Sequence, residues 1–298
     1  GLVTEALDST EGGVLVFLPG EGEIRRVAAL LESRVGKNCD VRPLFGAMDF
    51  AAQRAALAPA VPGRRKIVLA TSIAETSLTI PDIRVVVDGG RARRARYDPA
   101  SGMSRLVTER VTKAEAEQRR GRAGRVAEGV CYRLWTKGEE GGLAPFPPPE
   151  ILSGDLTGLA LELALWGAKA EELAFLTPPA PTALAEARAL LTDLGALDGG
   201  GRMTAHGRLM AAMPLHPRLA HMLIVAGKEA ATLAALLEER DPVRGAAADL
   251  TLRLDAVRDP AGFERAHPQA VHRGTVERIR TEAKRLSRMV EDRSDEYS

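Results

Sequence analysis

Apolar residues along this chain follow two different rhythms. In the first half, short β-branched runs recur between polar, glycine- and proline-marked segments: Val14–Leu18, Ile67–Ala70 and Val85–Val87. Runs of this length are too short for helices and read as buried strands, the second and third as interior strands of a parallel sheet. Pro19-Gly20 ends the first in a turn. Between them the period becomes helical. Glu23–Ser33 places Ile24, Val27, Leu30 and Leu31 inward, and Asp49 caps Phe50–Leu57, which Pro59 and Pro62 terminate. Cys39–Leu44 is a further strand. Strand, loop and helix repeated in this way imply right-handed crossovers and a parallel sheet, with ligands at the carboxyl ends of its strands.

The pattern then changes. Arg91–Val111 alternates on either side of Pro99–Gly102 and predicts a β-hairpin, with a plain edge ribbon as the structural alternative. Thr112 followed by Glu115 predicts a capping box on the helix Lys113–Arg120. Gly138–Pro149, which includes PFPPP, is a rigid exit from the first domain. Helices follow: Ile151–Gly167, rich in leucine (Leu156, Leu159, Leu161, Leu163, Leu165), and Leu184–Gly195. A turn and short strand at Gly199–Thr204 form a small wing, and Thr204 caps Ala205–Met213. Leu219–Ala226, Glu229–Arg240 and a charged helix Glu264–Arg288 complete the chain, the last with Val276, Ile279, Ala283, Leu286 and Met289 as its apolar stripe. Helix plus wing suits a winged-helix domain. Its helices concentrate no Lys or Arg, which favours a structural platform over DNA recognition. The expected domains are 1–145, 146–214 and 215–298.

Charge narrows the picture only through its distribution. The 298 residues carry 41 Lys and Arg against 40 Asp and Glu, so bulk charge does not announce a nucleic-acid binder. Arg91, Arg93, Arg94 and Arg96 form one basic cluster and Arg119–Arg125 another. Two cysteines, Cys39 and Cys131, make neither a disulfide framework nor a metal set, and Cys131 is expected in the core. His206, His216 and His221 lack a further ligand at zinc spacing and read as cap or interface residues. No run approaches 18 apolar residues and nothing resembles a signal peptide, so a cytoplasmic protein without membrane contact is expected.

The candidate chemistry lies in QRRGRAGR (Gln118–Arg125), one Gln and four Arg within eight residues. At helical spacing Gln118, Arg122 and Arg125 share a face, and arginines so aligned call for anions, phosphate first. Alone, the run also fits a solvated basic patch or a nucleic-acid tail. TSIAETSLTI (Thr71–Ile80) precedes it, with the Thr71 hydroxyl at the carboxyl end of a strand, placed for a phosphate. Neither GxxxxGK[ST] nor a D-E-x-H box occurs in the 298 residues.

TSIAETSLTI resembles motif V, and QRRGRAGR motif VI, of the DEAH/RHA family of superfamily 2 RNA helicases. VLVFLPGEGEI (Val14–Ile24) resembles motif IV, and RPLFGAMDFAAQRAAL and CYRLW resemble neighbouring segments of the same lobe. PPEIL, LALELALWG, LTPP, LTDLGALD and MTAHGRLMAAMPLHPRLAHML resemble the helical accessory domains, so the likeness extends to about Asp241. It implies an α/β fold: a RecA-like, P-loop-NTPase-type parallel sheet serving as the second helicase lobe, then a winged-helix domain and a ratchet-like helical bundle. It also implies part of an ATP-dependent 3'→5' RNA helicase, a monomer using ATP and Mg²⁺ on single-stranded RNA, with DNA left open.

By the same resemblance Thr71, Ser72 and Gly20 contact nucleic acid, and Thr76, Ser77, Thr79, Asp82 and Gly121 contact the nucleotide. Glu75 helps to couple the two. Arg122 and Arg125 act as arginine fingers, Gln118 positions the attacking water, and Gly121 and Gly124 let the backbone come close. The hairpin projects between nucleic-acid strands. Ser72 departs from the family's usual Asn, and Pro81-Asp82 stands where many relatives carry an acidic residue and glycine. Leu57 occupies the base-stacking position of spliceosomal relatives and is expected to be core. The phosphate loop and the Mg²⁺ ligands belong to a first RecA-like domain expected ahead of Gly1, so the chain alone should hydrolyse little or no ATP. A non-catalytic RNA-binding scaffold is the alternative, disfavoured by the intact Gln118, Arg122 and Arg125.

Overall fold

The structure, a computed structural model, describes residues 1–76, 79–98 and 100–294, with side chains to 291. The chain forms two compact units, Gly1–Gly154 and Asp155–Ser298.

The first unit runs α1 (Leu2–Ser9), β1 (Gly13–Phe17), α2 (Glu21–Glu32), β2 (Cys39–Leu44), α3 (Phe50–Leu57), β3 (Arg65–Ala70), β4 (Ile83–Asp88), β5 (Arg91–Asp98), β6 (Met103–Arg110), α4 (Lys113–Arg120), β7 (Val130–Arg133), α5 (Lys137–Gly141) and α6 (Glu150–Ser153). Five strands form a parallel sheet in the order β2-β3-β1-β4-β7. The runs read as interior strands, β3 and β4, flank β1, and every residue of β1 is buried. Because strand side chains alternate, Leu15 and Phe17 pack on one face with Val68, Ala70, Val86 and Ala56 of α3. Val14 and Val16 pack on the other with Ala6 of α1 and Ile24 and Leu31 of α2. Leu30 departs from the expected inward set, at 53% exposure. It lies about a third of a turn away from the Ile24–Val27–Leu31 stripe.

Local signals place several elements. Asp49 accepts from Ala52 N at 2.8 Å to cap α3. At the other end of α3, buried Lys66 of β3 donates to the carbonyls of Ala56 (2.7 Å) and Ala58, a cation at a helix C-terminus. β5 and β6 form the expected hairpin, paired from Arg91↔Arg110 to Asp98↔Met103; Pro99 in its connection lies outside the described residues. Gly90, at the root, has φ +71, and a Cβ there would stand 2.8 Å from the Trp135 ring, so only glycine fits.

The second unit contains α7 (Thr157–Trp166), α8 (Pro181–Asp193), α9 (Ala205–Ala211), α10 (Pro217–Ala226), α11 (Ala231–Glu238), α12 (Leu250–Arg258), α13 (Pro260–Ala266) and α14 (Arg273–Ser294). The helix expected over Ile151–Gly167 is interrupted: α6 stops at Ser153, and Asp155 accepts from Thr157 N at 2.8 Å to restart the chain as α7. The wing is reduced to one antiparallel bridge, Leu197↔Met203, around a turn held by Asp198. Thr204 caps α9 through Gly207 N at 2.9 Å. The helix expected over Glu264–Arg288 is two, because Pro268 cannot continue α13. α14 begins at Arg273 and buries Val276, Ile279, Ala283 and Leu286, as the stripe requires. The helical stretch Pro217–Glu238 passes by length and composition as a membrane span. It is broken at Gly227 (φ +73) and buries Ala220, Leu223, Ala234 and Leu236, the behaviour of a core helix.

The three histidines sit in pairs. His206 Nε2 is 2.9 Å from His221 Nδ1, and His216 Nε2 is 2.6 Å from Asp155 Oδ2 while its Nδ1 caps α10. Among the described residues no three His, Cys, Asp or Glu side chains converge as a metal site.

Candidate nucleotide and nucleic-acid site

The carboxyl edge of the sheet is stitched by backbone hydrogen bonds just beyond the strands. Leu18 N donates to Ala70 O, Thr71 N to Leu44 O and Gly89 N to Phe17 O. This edge presents Thr71, half-buried, and Ser72, exposed in a 3₁₀ turn (Ser72–Ala74). Gly20 lies at the same edge as the N-cap of α2, but it is buried: a Cβ there would meet Arg93 Nη1 at 2.2 Å. Arg93 in turn pairs with Glu23 at 3.2 Å.

The four arginines of QRRGRAGR divide into a buried one, Arg119, an exposed one paired with Glu117 at 2.7 Å, Arg120, and the pair Arg122 and Arg125. α4 stops at Arg120, so Gln118 is on the helix while Arg122 and Arg125 are on the turns after it. Those turns tighten, Arg122 N and Ala123 N each bonding three residues back, and Ala123 enters the core. The result is not the single helical face that spacing predicts. Arg122 donates to the carbonyl oxygen of Glu75, and Arg125 Nη1 to Thr79 Oγ1 at 3.2 Å. Together with Leu15, Ala74, Ile80 and Ile83 they line a small recess. Burial, then the like charge of Arg125, pull the Arg122 pKa down, against the opposing pull of Glu75. A guanidinium so placed gains from an added anion. Gln118 is exposed.

Arg119, which sequence reasoning left without a role, is wholly buried. Its Nε and Nη2 are both 2.7 Å from Glu75 Oε1, its Nη1 is 2.7 Å from Asp88 Oδ1, and the Arg91 carbonyl accepts at 3.3 Å. The guanidinium also lies over the Phe17 ring, 4.8 Å from its centroid. Burial raises the Glu75 pKa and Arg119 pulls it back. Buried arginines do meet anions here, but those anions are the protein's own carboxylates. A signal was present: Arg119 follows Ala116 by three residues and Glu115 by four, on the buried side of an otherwise polar helix.

The remaining expected residues scatter. Thr76 and Thr79 are exposed on the motif V segment, and Ser77 lies outside the described residues. Asp82 is exposed with φ 65 at the amino end of β4, its carbonyl bonded to Gly13 N at 2.6 Å, away from Thr71 and Gly20. Gly121 caps α4 with an ordinary helical φ of −59, and a Cβ there would make only normal contacts. Nothing lies within 4 Å of a Cβ at Gly124. Neither glycine is demanded by this chain's own packing. Leu57 packs against the core, as expected.

Two families match the chain: the helicase conserved C-terminal domain over residues 2–127 and the winged-helix helicase associated domain (HA2) over 187–215. The ATP-dependent RNA helicase HrpB of Escherichia coli strain K12 is 46% identical over 241 residues, 79% of this chain and 30% of that protein. A probable ATP-dependent RNA helicase of Homo sapiens, DHX34, is 38% identical over 78% of this chain and 21% of its own length. A crystal structure of Escherichia coli DEAH/RHA helicase HrpB superposes with TM-score 0.84 at 40% identity, covering 97% of this chain and 35% of that one. The chain belongs to the DEAH/RHA-type helicases of superfamily 2. It spans about a third or less of the length of these relatives. Within this helicase family its first unit is the second RecA-like lobe, and the winged-helix HA2 element and helical bundle follow.

Proposed function

We propose that this chain supplies the second RecA-like lobe and the nucleic-acid track of an ATP-dependent 3'→5' RNA helicase. The observation that carries the reading is the convergence of Arg122 and Arg125 on the motif V segment, beside a recess and one short loop from Thr71. The donor chemistry fits a triphosphate: two neighbouring guanidiniums, one desolvated, present planar N–H forks to phosphate oxygens. ATP supplies the phosphoryl group that passes to water. Arg122 and Arg125 hold the charge that develops on it, while Arg119 and Glu75 fix the backbone from which Arg122 reaches. Gln118 would orient the attacking water once a facing lobe closes over α4. Thr76, Ser77, Thr79, Asp82 and Gly121 remain candidates for the nucleotide's near surroundings. Mg²⁺ would be held by the facing lobe and would neutralise charge on the phosphates, since among the described residues of this chain no three His, Cys, Asp or Glu side chains converge.

Thr71 and Ser72 would grip the backbone of single-stranded RNA, Gly20 would join them only once Arg93 swings off it, and alternate opening and closing of two lobes would move the grip along. Two free cysteines fit the reducing cytoplasm proposed as its location. The test is RNA-stimulated ATP hydrolysis by the full-length protein, beside the Arg122→Ala variant and this chain alone. Stimulated turnover is expected only in the first, with single-stranded DNA as a competitor for RNA. Full-length protein that turns over no ATP with several single-stranded RNAs would leave the scaffold reading.

A further inference from the structure

The hairpin and the motif VI helix are fastened at both ends of α4 and in its middle. At the N-terminus, buried Glu115 Oε2 accepts from Thr112 N (2.7 Å), Thr112 Oγ1 (2.8 Å) and Arg94 of β5. Arg94 continues to Glu109 Oε2 and the Arg110 carbonyl, each 3.1 Å, and Glu109 takes Arg96 through two bonds of 2.6 Å. In the middle, Ala116 packs with Ala92 and Val111 of the hairpin root, along with Leu143 and Trp135. At the C-terminus, Arg119 reaches the Arg91 carbonyl. Three attachments along a helix about 12 Å long leave little freedom between the two elements. The hairpin's ties to other helices, Arg93 to Glu23 of α2 at 3.2 Å and Arg110 to Glu139 of α5 at 2.6 Å, are one-third to one-half exposed on both partners and correspondingly weak. α4 runs directly into the turn that carries Arg122 and Arg125.

We propose that α4 and the β5–β6 hairpin move as one body, and that the Arg94–Glu115 pair is the joint that passes a displacement of the Arg122–Arg125 turn to the hairpin. Arg94 and Glu115 are positioning residues: they act through the hairpin and touch no reacting atom. The proposal rests on Arg122 and Arg125 as the phosphate-binding residues. Contiguous ion-pair and packing contacts of this kind are the physical means by which a shift at one site biases another.

The test uses the full-length protein with Glu115→Gln, which keeps the size and the bonds from Thr112 but loses the charge, and Arg94→Lys, which keeps the charge but loses the bridging fork. ATP hydrolysis, duplex unwinding and amide hydrogen exchange with and without a non-hydrolysable ATP analogue are measured together. Hydrolysis should stay within about twofold of wild type while unwinding per ATP falls about tenfold. In wild type the analogue should protect residues 119–125 and the hairpin alike; in Glu115→Gln the first protection stays and the second is lost. Parallel loss of hydrolysis and unwinding in both variants, or hairpin protection unchanged in Glu115→Gln, overturns the joint. Wild-type protein whose 119–125 turn responds while the hairpin stays silent overturns it too. A wild-type turn that ignores the analogue overturns instead the nucleotide-site reading beneath it.

Discussion

Arg119 and Glu75 stand 44 residues apart in sequence and meet out of solvent, guanidinium to carboxylate at 2.7 Å, with Asp88 on the guanidinium's other side. This contact holds motif VI against motif V. Glu75 is engaged twice, its side chain by Arg119 and its carbonyl by Arg122. Arg119→Ala would leave two buried carboxylates facing each other and should cost about 3–5 kcal/mol of stability. Arg119→Lys keeps the charge but not the fork, and a smaller loss is expected. Urea denaturation of both variants checks the order.

Arg122 and Arg125 should behave differently from Arg119. Arg125 is exposed and bonds only a threonine hydroxyl among the contacts given above, so Arg125→Ala should shift stability by no more than about 0.5 kcal/mol. The same substitution, or Arg122→Ala, should lower RNA-stimulated ATP turnover of the full-length protein by about 10³-fold or more. Arg122→Lys should not restore it, since a point charge cannot fork across two oxygens. Steady-state turnover with saturating RNA separates these outcomes.

Asp155 offers a pH test. Burial works to raise its pKa, but hydrogen bonds from His216 and Thr157 outweigh that and bring it down to about 2. A carboxylate depressed in the folded state stabilises the fold above its unfolded pKa, and the contribution is lost as pH falls from about 4 towards 2. Asp155→Asn should therefore destabilise by about 1 kcal/mol at pH 7, a figure discounted for partial solvent screening, and by almost nothing near pH 2. Denaturation curves of wild type and variant across that range supply the comparison.

Cys131, on β7, is held as a thiol. Burial, then the charge of Asp88, push its pKa up to about 11. Iodoacetamide at pH 8 should modify it on the order of 100-fold more slowly than an ordinary exposed thiol, and the rate should recover on unfolding. Mass spectrometry of the labelled peptide reads the rate directly.

Features set by neighbours in sequence were legible before the structure. β3 and β4 show in their β-branched runs, and the capping box at Thr112 and the caps at Asp49 and Thr204 each depend on a residue three positions on. What failed depended on distant partners or on small angular offsets. Leu30 was misread by one-third of a turn. Arg119 looked like one arginine among four, because Glu75 and Asp88 come to it from another loop and another strand. The Arg94–Glu115 pair was hidden for the same reason, a cluster of hairpin arginines reading as one basic patch. Gln118, Arg122 and Arg125 share a helical face only if the helix continues, and it ends at Arg120.

The central strand has a cost during synthesis. β1 hydrogen-bonds on both sides to strands made much later, Leu15 pairing with Val68 and with Val86. At roughly 5–20 residues per second, Val86 is made roughly 4–14 s after Leu15. Until Val68 is made, roughly 3–11 s after Leu15, the apolar segment GVLVF has neither neighbour, and until Val86 it still lacks one, so it is open to pairing with other chains. Ribosome-bound intermediates stalled before β4 should therefore be the ones that chaperones hold.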